Sequence, residues 1–291
     1  MPAAFPGAYG WGATSIGGRG GVVIHVTNLN NSGAGSFRAA VTATGPRIVV
    51  FDVAGEISLL SNVTPQSFLT VAGQTAPGSG ITIRRGMTGA HFRFSASANI
   101  TDVIIRGLKF RSGLVPPSEI DCVTIPGGTR IIFDHCSLEW GTDGIMDINP
   151  DPGFSASYIT FQNCIFGMCL RPHSTGTALT QAPDPVSKVS IIGCLYVHNA
   201  HRNPHFNGPT QVEFINNVIY NFHTRSGALA GTGQADYIGN YLKRGPWSGL
   251  VYWRVDSKSV DAPGPPVLYL EGNKGKPSPG PAQADLWIEN L

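Results

Sequence analysis

Charge is what this chain has least of. Of its 291 residues only 13% are Asp, Glu, Lys or Arg, and the formal net charge is +2. There is no general polycationic surface to grip nucleic acid or an anionic membrane, so neither is expected as a partner. No apolar stretch approaches the roughly 18 residues that suggest a membrane span. The start, MPAAFPGAYGWG, has no charged segment followed by an apolar one, as a signal peptide requires. A soluble chain is expected, and its location is open on these grounds. The five cysteines match no zinc spacing. Lying in or beside apolar runs, they read as buried free thiols. No charge run or low-complexity linker divides the chain, which is read as a single domain, 1–291.

What is present is turn-forming sequence, 37 Gly and 22 Pro, with Ile, Val and Phe crowded into the short runs between turns, the pattern of an all-β protein. Six of these runs share one layout: VIIRGLKFR, RIIFDHCSLEW, YITFQNCIFGM, VSIIGCLYVH, VEFINNVIYNF and ADYIGNYLKR. Aligned, they put Gly107, Cys136, Cys164, Cys194, Asn217 and Asn240 at one position, at intervals of 29, 28, 30, 23 and 23 residues. A period of 20 to 50 residues marks a solenoid, whose repeats bury their apolar faces against their neighbours. Residues 1–45 are expected to cap the first coil, with Ser36 starting a short helix through Ala39 and Ala40. Residues 46–250 are expected to form the coils, and the Pro-rich 251–291 a tail or cap along the outside. A capped solenoid has no need to pair, so a monomer is expected.

The chemistry-bearing residues lie at the repeat edges. In SEIDCVTI, strand alternation predicts Glu119 and Asp121 on one face. One coil on, WGTDGIMDI places Asp143 and Asp147 four apart. Stacked coils about 4.8 Å apart would gather these four carboxylates. Hard oxygen donors in that number suit Ca²⁺. The structural alternative has them solvating coil ends or pairing with Arg106, Lys109 and Arg111. Further on, VHNAHRNPHFNG brings His198, His201, Arg202 and His205 together. That is either a basic edge on the same flank or a set of side chains capping turn carbonyls. Trp140, Tyr196 and Phe206 are read as core or turn packing before sugar stacking.

The sequence GGRGG with VTNLNNSGAGSFRAAV, then VAGQTAPGSGI, VIIRGLKFRSG, FDHCSLEWGTD and RNP followed by VEFINNVIYN resembles, in the same order, the pectate lyases of polysaccharide lyase family 1. The resemblance runs from about residue 4 to residue 245. It implies a right-handed parallel β-helix, secreted or extracellular, that cleaves the acidic polysaccharide polygalacturonate (pectin) by β-elimination with Ca²⁺. It also implies Glu119, Asp121, Asp143 and Asp147 as calcium ligands and Arg202 as the base. Two positions depart from the family pattern. Where the family commonly has a substrate-binding lysine, FGMCLRPHSTG offers Arg171 and His173, and where a second basic residue follows the arginine, RNPHFNG offers His205. Guanidinium is normally protonated up to about pH 12, so an arginine base predicts an activity optimum above neutral. Hydrolases and esterases of similar fold work with paired aspartates and leave the arginine motif without a role, and a metal-free pectin lyase leaves the carboxylates without one. A non-catalytic glycan-binding or viral-fibre-type β-helix, or a lyase of another uronate polysaccharide, stands as the alternative.

Overall fold

The computed structural model describes residues 2–86, 91–113, 119–171, 173–180, 185–248, 251–256, 264–275 and 288–289. Short strands separated by turns wind the chain through three parallel sheets, which we call A, B and C, and from Leu69–Ala72 onward each coil adds one strand to each sheet in turn. The protein is therefore an all-β parallel β-helix: the solenoid its periodicity predicts, in the form the resemblance implies.

Side chains pointing inward stack on their counterparts one coil away. Phe133 and Phe161 lie face to face at 4.8 Å, and Phe214 and Tyr237 at 5.0 Å. Tyr196 and Phe206 are fully buried in this core. At the corner between sheets A and B, Gly107, His135, Asn163, Gly193, Asn216 and Asn-flanked Gly239 all take left-handed φ, from 52 to 67°, which Gly and Asn tolerate best. This corner corrects one alignment. Asp134 pairs with Arg106 and Ser137 with Lys109, so the residue opposite Cys136 is Leu108, and Gly107 belongs to the corner row beside it. The other five positions do stack. Cys136, Cys164 and Cys194 are buried free thiols, as are Cys122 and Cys169.

Asparagine takes over this row on later coils and extends it past the predicted repeat. The Cys194 N–H donates to Asn217 Oδ1 at 2.8 Å, the Asn217 N–H to Asn240 Oδ1 at 2.9 Å, and the Asn240 N–H to Asn273 Oδ1 at 2.9 Å. Each amide satisfies a buried corner that would otherwise lose a hydrogen bond. The ladder continues beyond residue 250, where the proline content suggests a tail. Val251–Asp256 pairs with Arg225–Ala230, and Val267–Glu271 with Gln234–Ile238. The KPSPGPAQ segment, 276–283, lies outside the described residues.

At the other end, α1 (Phe37–Thr42) covers the first coil, with Ser36 Oγ accepting from the Ala39 N–H at 3.2 Å. Phe37 packs on Phe51, and the buried Arg47 guanidinium donates to the carbonyls of Ala40 and Val41 at the end of α1. Ahead of the helix, a strap lies across the outer face of sheet A. The backbone N–H groups of Tyr9, Trp11, Gly12 and Ile16 donate to Gln162, Ser190, Thr160 and Asp102 respectively.

Candidate active site

The turn entering sheet C and the first residues of its strands carry the candidate site. On one coil Asp121 is buried just before the strand Val123–Ile125. The Gly144 N–H donates to its Oδ1 at 2.8 Å and the Thr124 hydroxyl to its Oδ2 at 3.2 Å. On the next coil Asp147 lies in Met146–Ile148 between two buried neighbours, so its side chain points outward, and the Ala178 N–H donates to its Oδ1 at 3.1 Å. Gly144 lies beneath both carboxylates. A Cβ there would come within 2.7 Å of Asp121 Oδ1 and 3.1 Å of Asp147 Oδ1, so the approach of the two aspartates requires a residue without a side chain.

Asp143 precedes that glycine and turns toward His173 on the following coil, whose Nδ1 is 2.5 Å from its Oδ1. Glu119 reaches the same imidazole at 3.7 Å. Oxygen or nitrogen donors of Glu119, Asp143 and His173 lie within 4.8 Å of one another. Strand alternation does not describe Glu119 and Asp121, because both precede the strand: Glu119 is exposed and Asp121 buried. The two are linked through Asp143 instead. None of the three basic residues considered as structural partners pairs with this cluster. Arg106 binds Asp134, Lys109 donates to the Ser79 carbonyl, and Arg111 binds Glu139.

Burial, reinforced by Asp143, pushes the Asp121 carboxyl up to about 6, against the hydrogen bonds from Gly144 and Thr124 and the charge of Arg202. Burial with Asp121, and further Asp143, holds Asp147 well above the usual carboxylate range, with Arg202 again opposing. The carboxylates thus fall in two neighbouring pairs, Asp121 with Asp147 over Gly144 and Glu119 with Asp143 at His173, and carboxylate oxygens are the donors that a hard cation such as calcium takes.

Arg202 follows two coils after Asp147. Its backbone is left-handed (φ 58°), and its carbonyl accepts from the Thr177 N–H at 2.6 Å. Gly176 permits this contact, since a Cβ there would lie 2.3 Å from that carbonyl. The Arg202 side chain is partly exposed and makes no hydrogen bond to a described residue, leaving its guanidinium available to a ligand. Beside it, His201 packs edge to face on His173. Burial, then the charges of Arg202 and Arg225, then His173, push His201 down to about 4, so it is neutral at neutral pH. His205 stands on the outward face of His205–Asn207, with the fully buried Phe206 beside it. Arg171 is exposed, and no described bond ties it to the cluster.

Sequence reasoning did not single out Gly144, Thr124 or Gly176. The Asp-Gly pair at 143 and 144 was the available signal for the first, and nothing local marks the other two.

A parallel β-helix with a carboxylate-lined face opposite a free arginine defines the class of protein. No family model matches the chain. Among curated proteins it is 45% identical over 247 residues to the probable pectate lyase C of Aspergillus fumigatus, a match covering 84% of this chain and 54% of that protein. The chain thus spans about half the length of the curated relatives it matches. Among solved structures, jun a 1, the major allergen from cedar pollen, superposes with a TM-score of 0.65 at 16% identity over 97% of this chain and 88% of that one. A pectate lyase from Bacillus sp. N165, solved in complex with trigalacturonate, gives 0.57 at 15% identity over 92% and 86%. By sequence this chain is similar to curated proteins named pectate lyase C, and its fold is that of the solved pectate lyases.

Proposed function

We propose that the chain is a calcium-dependent pectate lyase that cleaves α-1,4-linked polygalacturonate by β-elimination and releases unsaturated oligogalacturonides. The observation that carries this reading is the meeting of Asp121 and Asp147 over Gly144, with Asp143 next to that glycine in the chain and the unbonded Arg202 guanidinium two coils on from Asp147. Homology to proteins named pectate lyase supports it.

In this reading Asp121, Asp143 and Asp147, with Glu119 at the rim, hold the calcium. When bound, it offsets the charge of a uronate carboxylate and makes the proton on C5 more acidic. The hydrogen bonds from Gly144, Thr124 and Ala178 fix the aspartate oxygens in place before substrate arrives. Arg202 takes the C5 proton; the C5–H electrons form the C4=C5 double bond, and the glycosidic oxygen on C4 leaves with its electron pair. His201, neutral and packed beside Arg202, adds no positive charge of its own. In this reading His205 and Arg171 meet uronate carboxylates, while His173, held by Asp143 and Glu119, orients the acidic cluster. The reading carries with it a secreted, monomeric protein acting as one domain.

The test is incubation with polygalacturonate, with and without excess chelator, following the ultraviolet absorbance of the unsaturated product. Calcium-dependent absorbance is expected. Reducing ends without absorbance would identify a hydrolase, and binding without either product a glycan-binding protein. Arg202→Ala is expected to lower turnover by about 10²–10⁴-fold with calcium affinity retained, and full turnover in that variant would remove the proposed base.

A further inference from the structure

The outward side chains of sheet C form a continuous row. Arg93 is opposite Thr124, Thr124 opposite Asp147, Asp147 opposite Ala178, Ala178 opposite His205, and His205 opposite Ala228. Their neighbours along each strand, among them Phe92, Val123, Met146, Phe206 and Leu229, are buried in the core, so this row faces away from it. Asp147 is its acidic centre. Two strands to one side stands His205 and two strands to the other stands Arg93, each about 9.6 Å from the centre at two strand spacings. The positions between, Ala178 and Thr124, are small and largely covered by their neighbours.

Arg93 is not committed to a strong partner. Its guanidinium is 3.4 Å from Asp151 Oδ1, with the two side chains 35% and 48% exposed, and a pair so long and so exposed adds little. The row is also joined to the candidate site. Thr124 Oγ1, which donates to Asp121, lies 3.1 Å from His91 Nε2. The hydroxyl proton is used on Asp121, so the imidazole Nε2 is the N–H donor to Thr124.

We propose that Arg93 forms an outlying subsite for a carboxylate of an anionic sugar chain, and that the chain lies along the solenoid axis over sheet C from Arg93 to His205. This rests on the uronate-lyase reading above. In a two-fold ribbon of uronates every second carboxylate faces the same side, which matches basic residues two coils to either side of an acidic, cation-binding centre. Arginine suits the end position because its planar fork meets a carboxylate with two parallel hydrogen bonds.

Binding of digalacturonate and hexagalacturonate in calcium, measured by calorimetry in an Arg202→Ala background so that the sugars stay intact, tests the proposal. Arg93→Gln is expected to weaken hexagalacturonate about tenfold and leave digalacturonate unchanged, because two sugars anchored at Asp147 fall short of Arg93. Asp151→Asn, which frees Arg93, is expected to tighten hexagalacturonate about threefold. Arg84→Gln, a comparably exposed arginine on sheet B, is expected to change neither. Unaltered hexagalacturonate binding in Arg93→Gln, an equal loss for both sugars, or no hexagalacturonate binding at all would overturn the subsite. Product formation by the unmodified protein reports separately on the lyase reading. Unsaturated product with a silent Arg93→Gln sinks the subsite alone, while length-dependent binding without product sinks the lyase alone and supports the subsite.

Discussion

Sheet A and the entrance to sheet C each hold a pair of aspartates, with opposite chemistry. On sheet A, Asp102 and Asp134 are buried to 2% and 0% exposure. Burial alone would raise both, yet hydrogen bonds outweigh it. Asp134 is held below the usual carboxylate range by Gln162, Arg106, His135 and Asn163, and Asp102 by Arg130, the Ile16 N–H and Thr101. On sheet C, Asp121 and Asp147 have one or two donors each and other carboxylates for neighbours, and both are raised. Desolvation opposes ionisation in both pairs; it weighs more heavily on Asp121 and Asp147, which also have fewer donors to offset it. The acids of sheet A are complete within the protein and serve the strap; Asp121 and Asp147 are left incomplete, as the proposed cation site requires.

Breaking the satisfied side is expected to give the larger effect on stability. Asp134→Ala leaves the donors of Arg106, Gln162 and Asn163 without their acceptor and is expected to cost about 3 kcal/mol in urea unfolding. A change under about 0.5 kcal/mol would mean that water replaces the carboxylate and that the contrast between the sheets is shallower than the hydrogen bonds imply.

The unsatisfied side is read by pH. Asp121 has a folded value of about 6, above its unfolded value of about 3.9. Its contribution is therefore fully present below about pH 4 and lost as pH rises through 6. In chelator, stability is expected to fall between pH 4 and 6 by on the order of 2 kcal/mol. Excess calcium is expected to abolish that fall, because a cation binding only the folded, ionised cluster stabilises it. Asp121→Asn is expected to flatten the same window in chelator. Asp134, with its lowered value, has the opposite sign: its contribution is present above about pH 4 and fails only as pH drops further. A chelated protein whose stability rises steadily from pH 4 to 6 would contradict the assignment.

How much of this contrast the sequence carries depends on distance along the chain. The coils were legible because each apolar run is local and repeats, and the Ser36 cap because its partner is Ala39. The approach of Asp121 to Asp147 on the next coil followed from the period. The placement of Glu119 did not, since alternation holds only inside a strand and Glu119 stands ahead of one. The corner was misread by one residue because Gly107 and Cys136 both follow an apolar run, and only pairing separates Leu108 from the glycine. The strap was invisible. Its bonds join backbone N–H groups near residue 10 to side chains some 150 residues later, as from Tyr9 to Gln162, and a backbone donor leaves no mark on sequence. The coils past residue 250 were hidden by proline between strands, where it interrupts no ladder bond.

The smallest expected effect turns an acid of sheet A toward the condition of those on sheet C. Arg130 spans both oxygens of Asp102, donating from Nε at 3.1 and 3.0 Å and from Nη2 at 2.8 Å. It is itself 38% exposed, so solvent screens much of the charge attraction. Arg130→Gln is therefore expected to cost only about 1 kcal/mol, while Asp102 keeps the Ile16 N–H and the Thr101 hydroxyl. The carboxyl titration of Asp102, followed by ¹³C NMR, is expected to move upward toward the range of Asp121. Unlike Asp121, it should not respond to calcium, because no second carboxylate shares its surroundings. If Asp102 stayed low in this variant, the strap's N–H alone would hold it ionised, and backbone donors rather than the arginine would separate the two sheets.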